Sequence, residues 1–280
     1  MRALVMGVLN VTPDSFSDGG RYLDPEKAVA RGLAMAAEGA DVVDVGGESS
    51  RPGATPVDES EELARVLPVV AALAGRVRVS VDTVKAGVAR AAVEAGATLV
   101  NDVSATLAPV AAAAGVGWVA MHRQGTPLTM QSDPRYGDVV GEVVAYLRGR
   151  AEWAAGLGVG EIWVDPGIGF GKSPAHNLSL LAHLGELVDL GWAVLVGTSR
   201  KGFLGRISSP DPDRPTPVGD RLEASLATAV WAMERGAAMV RVHDVDATVQ
   251  AARLQGAVGG VRVPLLAGRP AGGPAAGVPA

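Results

Sequence analysis

Short apolar runs and longer amphipathic stretches alternate along this chain from near its first residue to about residue 256. Apolar or β-branched runs with little internal polarity fall at 3–9, 41–46, 77–81, 98–101, 117–121, 161–165, 193–197 and 238–242. Such runs suit strands covered on both faces, as in a parallel sheet. Patterns of helical period lie between them, at 25–39, 58–74, 84–95, 105–114, 138–155, 177–190, 219–236 and 245–256. Asp24-Pro25 reads as a cap followed by Pro at the first helical position, and Asp58 with Glu61 resembles a capping box. Gly39, Gly75, Gly96, Gly115 and Gly236 stand where helices should stop.

Eight strands alternating with eight helices in about 257 residues match the usual length of a (β/α)8 TIM barrel. A doubly wound open sheet is the rival, and it would gather its functional groups at one or two switch points. Here nearly every predicted strand ends in a candidate group, so the barrel is preferred. Residues 1–257 are read as one barrel domain with its ligand site at the carboxyl ends of the strands. Residues 258–280, rich in Gly, Pro and Ala, read as a flexible or surface-draped tail.

Composition narrows the function classes. With 280 residues and 48% hydrophobic content the chain can bury one large core, or two modest ones. It has no cysteine, which excludes disulfides, thiolate metal sites and cysteine nucleophiles and fits a reducing compartment. A net charge of −5 argues against a nucleic-acid surface, while leaving room for a local cationic cluster that takes a small anion. The first residues do not read as a signal peptide, and the uncharged stretch 105–121 is too short and too weakly apolar for a membrane span. A soluble, cytoplasmic protein is expected.

The candidate chemistry sits just past the strand ends, which in a barrel converge on one mouth. In order these are Asn10, the Glu48 to Gly53 loop with Arg51, Asp82, Asn101 with Asp102, Met121-His122, Asp165, Lys201, and Arg241 with His243. The long polar segment that opens at Asn10 and runs to Gly20 reads as a working loop. Asp82, Asn101 and Asp165 match a heterocycle that carries ring N–H and amino groups. Arg51, Arg241 and His243 suit a phosphate or pyrophosphate, and Lys201 suits either half.

Plainer roles compete. Asp82 could cap the next helix, Asn101 could be a turn residue, and His122 could be an ordinary loop histidine. Asp44, inside the second strand, is expected to be a buried structural hydrogen-bonding residue. His176 and His183 read as surface or packing residues, and Asp244 and Asp246 as caps of the last helix. Gly171-Lys172-Ser173 imitates the end of a nucleotide P-loop, but that motif needs a Gly at 166, which is Pro. The stretch from Asp165 is better read as a strand-end carboxylate followed by a glycine-rich loop that lets backbone approach a ligand.

Taken together, eight segments resemble the dihydropteroate synthase family. They are Gly7 to Gly20, Gly47 to Ala54, Val81-Asp82-Thr83, Asn101 to Val103, Met121-His122, Asp165 to Lys172, Ser199 to Lys201, and Arg241 to Val245. The resemblance implies condensation of 6-hydroxymethyl-7,8-dihydropterin pyrophosphate with p-aminobenzoate, Mg²⁺ dependence, a place in folate synthesis, sulfonamide sensitivity and a homodimer. It implies pterin binding by Asp82, Asn101, Met121, Asp165 and Lys201. Pyrophosphate would be held by Asn10, Arg51, Arg241 and His243, with Asn10 also facing the metal. Ser50, Arg51, Pro52, Phe170 and Lys201 would shape the p-aminobenzoate pocket. The catalytic set implied is Asn10, Arg51, Lys201, Arg241 and His243.

Two positions depart from the family pattern: Ser50 where Thr is common, and Gly202 where Ser is frequent. The second removes a hydroxyl near the aminobenzoate carboxylate. A methyltetrahydrofolate-dependent methyltransferase barrel is the nearest alternative, and a non-catalytic pterin-binding paralogue another. The first has no need of a pyrophosphate site, and a turnover assay separates the second.

Overall fold

The structure, a computed structural model, describes residues 2–12, 25–49, 51, 53–211 and 213–259. Eight parallel strands close on themselves in chain order. They are β1 (Leu4–Asn10), β2 (Val42–Gly46), β3 (Arg78–Asp82), β4 (Leu99–Asp102), β5 (Gly117–Met121), β6 (Ile162–Asp165), β7 (Ala193–Val196) and β8 (Met239–Val242). The ring shuts where β8 pairs with β1, Leu4 against Met239. Helices α1 (Pro25–Glu38), α2 (Glu59–Leu73), α3 (Ala86–Glu94), α4 (Ala108–Ala114) and α5 (Val139–Gly156) follow the first five strands. Helices α6 (Pro174–Ala182) and α7 (Leu184–Val188) follow β6. Then come α8 (Gly202–Ser208), a 3₁₀ turn (Val218–Asp220), α9 (Leu222–Glu234) and α10 (Val245–Gly259).

Side chains alternate across each strand, and that period builds two cores. Outward residues such as Val5, Val43, Val79, Val100, Trp118 and Val240 pack against the helices in one continuous cluster. Inward residues Met6, Val42, Leu99, Val119, Trp163, Leu195 and Met239 form a separate plug inside the barrel. The next inward position on five of these strands is polar or functional: Asp44, Asn101, Met121, Asp165 and Arg241. Register completes the arrangement, setting Asn10 beside Gly46, Gly46 beside Asp82, and Asp82 beside Asn101. An apolar floor under a polar mouth therefore follows from strand periodicity alone.

The five helix-stop glycines all have left-handed φ, between 66° and 114°. Other expectations are revised. The segment 177–190 is not one helix: it breaks at His183, whose backbone leaves helical geometry at φ −104°, ψ 25°. The start also moves to Pro174, where Ser173 and His176 form a capping box. Helix α4 begins at Ala108 rather than 105, because Asp102 ties the N–H groups of Ser104, Thr106 and Leu107 into a turn. Asp58 occupies the N-cap of α2 but makes no side-chain cap bond. Asp244 does not cap α10 with its carboxylate, which instead pairs with Arg200. Helix α10 continues to Gly259, two residues into the segment read as tail, and the rest of that segment lies outside the described residues.

Candidate active site

At the centre of the mouth is a chain of charge-assisted contacts. Arg241, near the end of β8, donates through Nε to Asp44 Oδ2 at 2.6 Å and through Nη2 to Asp82 Oδ2 at 2.8 Å. Asn101 Nδ2 donates to the same Asp44 oxygen at 2.9 Å. Strands β2, β4 and β8 are thus joined through one buried carboxylate, and β3 is joined to them through the guanidinium. The contact fixes the amide: with Nδ2 committed to Asp44, Asn101 Oδ1 is the acceptor left for a ligand. Asp82 does not cap α3; Thr83 does the local work, its Oγ1 accepting from Lys85 N. Asp102 points away from the mouth and serves the turn before α4.

The second wall comes from β6 and β7. Asp165 is buried, and its Oδ1 accepts from Gly167 N at 2.7 Å. Gly167 has φ 63°, and a Cβ there would sit 1.8 Å from the His122 carbonyl oxygen, so only glycine lets these two loops meet. Lys201 Nζ donates to the Ile168 carbonyl and lies 4.6 Å from the Phe170 ring centroid. Met121 is buried one strand away, level with Asp165 in the β5–β6 register.

Electrostatics follow from this burial. Asp82 is pushed up to about 7, chiefly by loss of solvent, against the pull of Arg241 and with help from Asp44. Burial raises Asp165 as well, opposed by Lys201 and the Gly167 N–H. Lys201 is brought down to about 8 by burial, although Asp165 works the other way. For Arg241 burial opposes the charge, but Asp44 and Asp82 outweigh it and hold the guanidinium above its ordinary range.

His243 faces the rim. Its Nδ1 lies 3.0 Å from Ser199 Oγ, and its N–H donates to the same oxygen at 3.1 Å. Burial and then the positive charges of Arg241, Arg200 and Arg51 hold it down to about 3. It is therefore neutral in the ligand-free protein and offers an N–H rather than a cation. Arg51 is exposed, with its charge felt at His243. Its loop is anchored from below: Glu48 and Glu62 both bind Lys85 Nζ, and Arg65 donates to the Gly47 carbonyl at 2.7 Å. Asn10 ends β1 at the same rim. Ser50, Pro52 and the loop over residues 13–24 lie outside the described residues.

The strand-end reading misses two participants. Asp44 has the buried hydrogen-bonding role expected of it, but its partners are site residues. The signal was its inward parity, shared with Arg241 on the closing strand. Lys172 is the other, and it holds the loop after β6 from behind.

A profile described as pterin binding enzyme matches residues 6–243. The dihydropteroate synthase of Mycobacterium leprae (strain TN) is 50% identical over 262 residues, covering 90% of this chain and 92% of that one. The chain belongs to the dihydropteroate synthase family. Its fold superposes on that of the Xanthomonas albilineans dihydropteroate synthase solved with 4-aminobenzoic acid, with a TM-score of 0.85, 46% identity, and 93% and 94% of the two chains covered. The same enzyme in complex with 7,8-dihydropteroate gives a TM-score of 0.82 at 43% identity, covering 93% and 95%. Among the described residues no helix is long and apolar enough to cross a membrane. In this chain the acidic and amide groups and the cationic groups occupy one end of one barrel.

Proposed function

We propose that the protein condenses 6-hydroxymethyl-7,8-dihydropterin pyrophosphate with p-aminobenzoate, and that the C–O bond breaks before the amine attacks. Asp82, Asn101, Asp165 and Lys201 would hold the pterin, with Met121 packed on its ring. The observation that carries this reading is the convergence of Asp44, Asp82, Asn101 and Asp165 with Arg241 at one mouth. Carboxylates there favour a pterin that gains positive charge as its C–O bond stretches. Arg241, Arg51 and the His243 N–H face the opposite change, the negative charge growing on the departing pyrophosphate. The bond electrons leave with pyrophosphate, the arylamine nitrogen supplies the pair for the new C–N bond, and its proton passes to solvent. An aromatic amine is a weak nucleophile, so forming the electrophile first lowers the demand on it, and no strong base is needed. The Asn10 and Arg51 loops, closing over the ligands, would keep water from the cation.

The described residues contain no group of three His, Cys, Asp or Glu placed to hold a metal. The Asn10 amide at the end of β1 is an oxygen donor of the kind Mg²⁺ accepts, and it would hold the ion together with the oxygens of the diphosphate. When bound, the ion would neutralise charge on the leaving group. Arg51, Phe170 and Lys201, with Ser50 and Pro52, would receive p-aminobenzoate. We infer a cytoplasmic homodimer, for which exposed Ile207, Val218 and Trp231 around α8 and α9 offer apolar surface. Pyrophosphate release with and without p-aminobenzoate and Mg²⁺ tests the reaction: sustained, multiple-turnover release that requires both is expected, and no release with all components present would overturn it. Light scattering tests the dimer.

A further inference from the structure

Lys172 is 2% exposed, in a chain with only four lysines. Its Nζ lies 3.1 Å from the carbonyl oxygens of Gly167 and Phe170, 3.4 Å from that of His122, and 2.9 Å from His122 Nδ1. Burial brings Lys172 down to about 7, against the pull of Asp165, so it is the full cation below that pH. An ammonium has three protons and no lone pair, so four acceptors then surround one cation. Three carbonyls and a ring nitrogen around a point charge make the environment of a monovalent cation site. Here the cation is tethered by the protein's own side chain.

The acceptors come from two loops that both face the ligand. His122 follows Met121 at the end of β5. Gly167 and Phe170 follow Asp165 at the end of β6, and between them Ile168 gives its carbonyl to Lys201. Nothing in the Lys172 contacts reaches the mouth directly. Its effect passes through the backbone that aims Asp165, Lys201 and the Phe170 ring.

We propose that Lys172 is a positioning residue, a tethered cation in a carbonyl cage that sets the Asp165 to Phe170 wall, and that the emptied cage would accept a free monovalent cation. The role assigned to the wall rests on the synthase reading; the cage does not. Two further observations agree. The cage leaves His122 Nδ1 as an acceptor, and burial together with the Lys172 charge brings that imidazole down to about 3, keeping it neutral. Removing the ammonium would also take the donor from the His122 and Phe170 carbonyls and from His122 Nδ1, while the Gly167 carbonyl keeps the Phe170 N–H at 3.0 Å. Losing a donor at three such acceptors is costly.

The test compares wild type, Lys172→Ala and Lys172→Met in sodium chloride, ammonium chloride and ethylammonium chloride at equal ionic strength. Both variants should raise the KM for p-aminobenzoate and for the pterin pyrophosphate by about 10-fold, the size expected for a lost charge-assisted contact. Ammonium or ethylammonium should restore Lys172→Ala and raise its melting temperature. Neither should help wild type or Lys172→Met, whose side chain fills the channel. KM values unchanged in Lys172→Met, or the same response to ammonium in all three proteins, would overturn the proposal. Absence of turnover in wild type would instead overturn the synthase reading, and the melting-temperature comparison still decides the cage.

Discussion

Arg241 and Asp82 lie 2.8 Å apart, so the cation on the closing strand is set among the very acids that face the heterocycle. The sequence separates these residues by 159 positions and suggests two half-sites, one acidic and one cationic. The fold joins them. In the ligand-free protein the guanidinium bridges Asp44 and Asp82, and the acidic pocket is stored in a paired form.

Arg241→Ala should therefore do two things. Losing one charge-assisted contact to the leaving group, about 1.5–3 kcal/mol, should slow the chemical step about 10- to 150-fold in single-turnover measurements. Leaving two carboxylates unpaired in the barrel should also cost about 3–5 kcal/mol of stability in urea unfolding. Adding Asp44→Asn should recover part of the stability and none of the rate. A single variant as stable as wild type would show that the pair is not what holds the mouth together.

Asp44→Asn alone tests the amide orientation. The neutral side chain no longer dictates which end of Asn101 faces the ligand and no longer anchors Arg241 Nε. Calorimetry with free pterin should show affinity lowered by about 10-fold or more, from the loss of bonds to a charged acceptor. Undiminished affinity would remove Asp44 from the site.

Asp44 also shows where the sequence is legible and where it is not. Strand ends can be found because apolar runs stop there, and in a barrel those ends share one mouth; Asn10, Asp82, Asn101, Asp165 and Arg241 are found that way. Asp44 lies within its run, and its meaning depends on a partner 197 positions later that only closure of the ring brings near. Lys172 is hidden for a different reason. Its neighbourhood imitates another motif, and three of its four acceptors are backbone carbonyls, which leave no trace in residue identity. The break at His183 and the extra helix α8 are likewise local choices of backbone that hydrophobic period does not resolve.

Asp165→Ala should abolish measurable pterin binding in the same calorimetric assay. The carboxylate is buried at the end of β6 and already turned by the Gly167 N–H, so no neighbouring group can replace it as an acceptor at that position. The fold should survive, because the lost partner is a single backbone N–H beside the solvent-reachable mouth. Retained binding would move the pterin elsewhere.

Asp82 makes the pH dependence of stability specific. Its carboxyl titrates near 7 in the folded protein against an ordinary 3.8, so between those values the folded state keeps a proton that the unfolded chain has released. The stability this contributes is full below about 3.8, declines as pH rises through the interval, and is lost above about 7. Asp82→Asn cannot titrate there. The stability of the variant minus that of wild type, from urea unfolding between pH 4.5 and 8, should therefore climb with pH and level off above about 7. Lys201, brought down to about 8, adds a slope of opposite sense at higher pH, but both proteins keep that lysine. A difference that stays flat across the whole range would mean that Asp82 is ionised throughout, and that Arg241 holds it more firmly than burial opposes it.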